Sequence, residues 1–115
     1  MPEDLELERD GLRLRVYIGE SDHWEGKPLY EQILMLARQR GLAGCTITRG
    51  LAGFGAKSRV HTAKVFALSM DLPIVVEIVD GPEKLRAFLP EVEAMVSDGL
   101  ATLEPVEVHF YRHKR

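Results

Sequence analysis

A single cysteine, a single tryptophan and no long hydrophobic run narrow what this chain can be. A lone Cys45 can build neither an intrachain disulfide nor a cysteine-based zinc site, and its apolar, extended surroundings suit a small buried side chain. No stretch of about 18 apolar residues is present to cross a membrane, and the start lacks the basic-then-apolar pattern of a signal segment. A cytoplasmic location is therefore expected. Basic excess is missing too: 15 Lys and Arg face 18 Asp and Glu, a net charge of −3, which argues against a general nucleic-acid or membrane-surface binder.

The common nucleotide motifs are also absent. A Walker loop needs its lysine directly after the second glycine so that it reaches the phosphates from the following helix, whereas Ala56 intervenes here between Gly55 and Lys57-Ser58. No Gly-x-Gly-x-x-Gly precedes a helical pattern. His109 and His113 would align on a helix, but along a strand they stand about 13 Å apart, too far to share a metal. With no nucleophile–base pair and no metal constellation to argue from spacing, no catalytic or metal-ligating residue is assigned, and a non-enzyme is expected.

What remains suits one compact domain of 115 residues, 45 % hydrophobic and 29 % charged. Its charge is uneven, with an acidic arm over residues 1–10 (Glu3, Asp4, Glu6, Glu8, Asp10) and a basic tail, Arg112-His113-Lys114-Arg115. Between them, Leu12, Leu14, Val16 and Ile18 alternate with polar residues as in a strand. Pro28 opens a helix to about Arg40, with Leu29, Ile33, Leu36 and Ala37 on one stripe, Gly41 as its left-handed cap, and Trp24 packed over that stripe or serving as a ligand platform. A second strand starts near Ala43, with Cys45 and Ile47 on one face and Thr46 and Thr48 on the other. Lys64 to Ser69 reads as extended, and Ile74 to Val79, almost unbroken in its apolarity, as a strand covered on both faces. Asp80 and Glu83 form a capping-box pattern for a second helix. Leu85, Phe88, Leu89, Val92 and Met95 make its buried stripe, Pro90 should bend it, and Gly99 closes it. A last strand is expected over about Ala101 to Tyr111. The order βαββαβ is that of an α+β ferredoxin-like fold, a four-stranded antiparallel sheet with two helices on one face. The apolar run at 74–79 implies self-association through the other face.

Gly50 to Thr62 concentrates glycine, cations and hydroxyls. Glycine lets backbone N–H groups turn toward an anion, and Lys57, Ser58, Arg59 and His61 supply phosphate donors. A long hairpin connection is the other reading of the same residues. His61 is equally a plain surface histidine, and the Thr46 and Thr48 hydroxyls suit either a base or ribose contact or ordinary strand positions.

Gly44-Cys45-Thr46-Ile47-Thr48 followed by Gly53-Phe54-Gly55 resembles the PII signal-transduction proteins. Gly53 to Thr62 together with Asp71 to Glu77 is closer still to a family of small uncharacterised bacterial and archaeal PII-like proteins, a likeness that covers about residues 11 to 111. The resemblance implies a PII-like homotrimer with sheets packed inward and an adenine nucleotide (AMP, ADP, ATP or cyclic AMP) in the clefts between subunits. It further implies a loop, here residues 53–64, that engages a cytosolic enzyme or a membrane transporter or channel. By position, Thr46 and Gly53, Phe54 and Gly55 would border the ligand, with Lys84 the one cation of the turn before the second helix. The loop is shorter than in PII and has no tyrosine, so a uridylylation switch is absent. The compact turn Asp80 to Lys84 stands where PII has a glycine-rich phosphate loop, and PII's C-terminal arginine-bearing loop is missing, so a monophosphate, diphosphate or cyclic nucleotide is expected ahead of a triphosphate. A ligand-free trimeric module docking on a membrane transporter or channel is the alternative.

Overall fold

The structure, a computed structural model, describes residues 2–4, 10–55, 61–62 and 71–114. Its frame is four strands and two helices: β1 (Asp10–Gly19), α1 (Leu29–Gln39), β2 (Thr46–Arg49), β3 (Pro73–Asp80), α2 (Pro82–Met95) and β4 (Leu100–Glu107). The strands form one antiparallel sheet in the order β2-β3-β1-β4, so the expected ferredoxin-like architecture is present. The extended reading of Lys64 to Ser69 lies outside the described residues.

Alternation decides which face is covered. Leu12, Leu14, Val16 and Ile18 of β1 and Ile74, Val76 and Ile78 of β3 are buried beneath the helices. Leu29, Ile33 and Ala37 of α1 and Leu85, Phe88 and Val92 of α2 close the core from above, the three-to-four spacing that one helix face requires. Trp24 packs against this core and lies in a groove of about 340 Å³ between the helices, beside Met35, Leu36 and Met95.

Several boundaries differ from the sequence reading for identifiable reasons. Pro28 takes the N-cap position of α1 rather than its first turn, because Lys27–Pro28 pairs with His23–Trp24 in a two-residue-turn hairpin. Glu25 (φ 50°) and Gly26 (φ 81°) supply the left-handed turn conformation that such a hairpin demands. At the other end of α1, Gly41 (φ 72°) donates to the Arg38 carbonyl and Leu42 to the Ala37 carbonyl, the paired bonds of a glycine-terminated helix. Asp80 does not cap α2. It ends β3, is 3 % exposed, and its carboxylate accepts the Ala43 N–H (2.9 Å) and the Gly81 N–H (2.7 Å), leaving Gly81 at the N-cap without a side-chain bond. The capping-box pattern was present, but strand register had already turned Asp80 inward.

Gly99 does not terminate α2, which ends at Met95. A Cβ at Gly99 would lie 2.8 Å from the Tyr17 carbonyl oxygen, so glycine is needed there for close packing instead. β2 begins at Thr46 rather than Ala43, since Ala43 is held by Asp80 and by the Tyr111 hydroxyl, which donates to its carbonyl (2.9 Å). β4 stops at Glu107, leaving Phe110 exposed. Beyond it, Arg112–Lys114 pairs antiparallel with Pro2–Asp4, which sets these three residues of the basic tail beside three of the acidic arm.

The sheet face turned away from the helices is not the apolar surface expected. Val75, Glu77 and Val79 alternate onto it, half-buried, and the register sets Glu77 and Val79 opposite Arg15 and Arg13. Arg15 donates to Glu77 (2.8 Å), and Arg13 donates from Nε to Glu104 (2.8 Å) with a second, shorter contact from Nη2. These carboxylates, which spacing alone left unpaired, are thus partnered by cross-strand neighbours.

Candidate functional site

The connection from β2 to β3 leaves an edge strand. Arg49 is the last residue of β2, and the Gly50 N–H donates to the Pro73 carbonyl (2.7 Å), keeping the outgoing chain beside the start of β3. Two residues later the chain folds back, with Ala52 opposite Thr62 and Gly53 opposite His61. Glycine is needed at this root for space. A Cβ at Gly53 would stand 2.8 Å from Pro73 Cγ and one at Gly50 would stand 3.3 Å from Pro73 Cβ, so the backbone crosses the proline ring in close contact.

Thr46 and Thr48 are exposed on the side away from the helices, opposite Glu77 and Val75. Gly53 is half-buried, Gly55 is exposed, and Phe54 is 74 % and Leu51 82 % exposed. Lys57, Ser58 and Arg59 lie outside the described residues, and for His61 only the backbone pairing with Gly53 is described. Lys84 is not brought to this root. It sits in the first turn of α2, beyond the far end of β3, roughly 23 Å along the strand at about 3.3 Å per residue. There its ammonium donates to the Gly41 carbonyl (2.7 Å), bracing the end of α1.

Charge at the root comes from residues that the sequence did not single out. The Arg49 guanidinium meets Glu20 (2.5 Å), whose side chain is only 8 % exposed. Ser21 N–H donates to Asp71 (3.2 Å) and Gly19 N–H to Asp22 (2.9 Å). An arginine directly before Gly50, with an acid one residue past β1, was the available signal, but only the sheet order, which sets β1 on the far side of β3 from β2, brings them together. Among the described residues no group of three or more His, Cys, Asp or Glu is placed to hold a metal, and no helix is long and apolar enough to cross a membrane. Burial pushes the half-buried Cys45 thiol up, which disfavours its nucleophilic thiolate.

Two helices on one face of a β2-β3-β1-β4 sheet, with a glycine-shaped connection leaving the β2 edge, make a frame that solved PII-like proteins share. CPII, a nitrogen regulatory PII-like protein from Thiomonas intermedia K12, has this fold in a structure bound to ADP, AMP and bicarbonate. The TM-score is 0.59 at 19 % identity, over 86 % of this chain and 88 % of that one. A second CPII structure, bound to ADP and bicarbonate, matches with a TM-score of 0.57 at 19 % identity, over the same shares of the two chains. The chain belongs to the DUF190 family (Uncharacterized ACR, COG1993), whose family model matches residues 11–108. Relatives include a UPF0166 protein of Aquifex aeolicus (strain VF5), 44 % identical over 83 % of this chain and 90 % of its own length. Another is a UPF0166 protein of Methanocaldococcus jannaschii, 31 % identical over 86 % of this chain and 90 % of its own length.

Proposed function

We propose that this chain is a cytoplasmic, non-enzymatic PII-like regulator that works as a homotrimer. An adenine nucleotide (AMP, ADP, ATP or cyclic AMP) binds between subunits at the loop root, and its occupancy is signalled through residues 53–64 to a partner. The observation that carries this reading is the root itself. Gly50 and Gly53 bring bare backbone across Pro73 beside an exposed edge strand carrying Thr46 and Thr48, in the fold that CPII uses when it holds ADP and AMP. Lys57, Ser58, Arg59 and His61 supply phosphate donors from the same loop, while Lys84 would reach a ligand only from the opposite end of the cleft. Calorimetric titration with the four nucleotides and with bicarbonate tests it. Saturable binding of at least one nucleotide, lost on Gly55→Val or Arg59→Ala, is expected, and no heat from any nucleotide would sink the proposal.

The exposure of Leu51 (82 %) and Phe54 (74 %) favours a second reading, a trimeric module whose loop docks on a membrane transporter or channel without a ligand. That reading expects co-purification with membranes that Leu51→Ser and Phe54→Ser abolish, whether or not nucleotide is present.

A further inference from the structure

The loop leaves the sheet at Arg49–Gly50 and its return limb re-enters at Asp71-Leu72-Pro73. Glu20, one residue past β1, touches both limbs. Its N–H donates to the Leu72 carbonyl (2.9 Å), and its Oε1 accepts the Leu72 N–H across a long 3.5 Å. Its other oxygen, Oε2, takes the Arg49 Nη2 at 2.5 Å. Exposure is lopsided, 8 % for the Glu20 side chain against 55 % for Arg49. The carboxylate has therefore lost most of its water, and Arg49 is the cation that compensates it, while Arg49 itself stays well solvated if released. Breaking such a pair is costly on the buried side and cheap on the exposed side.

We propose that Glu20 is a positioning residue and that the Glu20–Arg49 ion pair is a latch: it holds the end of β2 and the Leu72–Pro73 limb together and keeps the bond from Gly50 N–H to the Pro73 carbonyl closed. The Gly50 N–H, bonded to the Pro73 carbonyl at 2.7 Å, is the direct reporter, since it stays protected only while the two limbs remain in register. The latch builds on the reading of the loop as the signalling element. Its test needs no nucleotide, so failure of the titrations and failure of the latch are separately visible.

The experiment is amide hydrogen exchange on the full chain, comparing wild type with Glu20→Gln, Arg49→Ala and the double variant. Exchange at Gly50 is expected to rise at least about tenfold in either single variant, a shift of roughly 1.4 kcal/mol, while the β1 and β3 interior amides keep wild-type protection. The double variant should exchange no faster at Gly50 than Arg49→Ala alone, because Glu20 acts through Arg49. Arg49→Lys, which keeps the charge, should recover part of the protection. Unchanged exchange at Gly50, additive effects in the double variant, or a rise spread evenly over the core strands would each overturn the latch. Arg49→Ala removes a half-exposed side chain outside the core, so the test survives even if Glu20→Gln fails to fold.

Discussion

At the scale of single residues, Gly53 and Asp80 are held to their identities by distance. A methyl at Gly53 would meet Pro73 Cγ at 2.8 Å, and a proline ring cannot swing aside as a longer side chain would. Gly53→Ala should therefore cost about 1–3 kcal/mol, the usual penalty of overpacking, measured by urea denaturation. The added variant Pro73→Ala should restore part of the loss, and equal stability of Gly53→Ala and wild type would contradict the close approach. Asp80 anchors the turn before β2 to the start of α2 through two charge-assisted bonds, to the Ala43 and Gly81 N–H groups. Asp80→Ala leaves both donors without their partner, and a loss of roughly 3 kcal/mol is expected in the same measurement. Asp80→Asn, which retains one acceptor oxygen, should lose less.

Between elements, two arginine–carboxylate pairs brace the frame and make it acid-sensitive. Arg40, at the end of α1, grips Glu91 of α2 from Nε (2.9 Å) and Nη2 (2.6 Å), and Arg13 of β1 holds Glu104 of β4. Hydrogen bonding from Arg40 holds the Glu91 carboxyl below the usual carboxylate range, and Arg13 does the same for Glu104. A carboxyl with a lower pKa in the native state binds fewer protons there than when unfolded. Its stabilisation is thus complete above the unfolded value of about 4.3 and is lost as pH falls through the native value. Arg40–Glu91 is exposed and Arg13–Glu104 only partly buried, so solvent screening keeps the effect modest. Urea midpoints measured from pH 7 down to pH 3 should fall more steeply for wild type than for a Glu91→Gln, Glu104→Gln double variant, and parallel curves would dismiss the pairs as a source of acid sensitivity. The same elements show what a reader of residues can and cannot see. Strict alternation in Leu12 to Ile18 and helical stripes at Leu29-Ile33-Ala37 and Leu85-Phe88-Val92 determine the βαββαβ order, because burying apolar area outweighs local preference. The Glu20–Arg49 and Arg13–Glu104 pairs were hidden because partners 29 and 91 residues apart meet only through register. Local motifs misled where tertiary demand was stronger, as at Asp80. At the candidate site the glycine root was legible, whereas the remoteness of Lys84 depended on the length of β3, which no motif reports.

At the scale of the whole molecule, the covered and uncovered sheet faces differ in kind. The helix side is a continuous apolar core, while the open side mixes Val75, Val79 and Tyr17 with the Arg13, Arg15, Glu77 and Glu104 network. In the proposed trimer this face meets its copies, with ion pairs already satisfied inside each subunit so that charges enter the interface partnered. Sizing chromatography at micromolar concentration should give three times the mass of the chain. Arg15→Glu, which places a third carboxylate between Glu77 and Glu104, should shift elution toward the monomer. A monomeric wild type would end the trimer and the inter-subunit cleft together.

The ribbon that pairs Pro2–Asp4 with Arg112–Lys114 carries a topological consequence. Pro2 lies opposite Lys114, so a short peptide joining these two positions would let new termini be cut elsewhere without crossing the core. Opened between Gly50 and Thr62, such a permuted chain would keep every strand of the four-stranded sheet while turning the proposed signalling loop into two free ends. Reporter domains fused to those ends would separate or approach as the loop root changes.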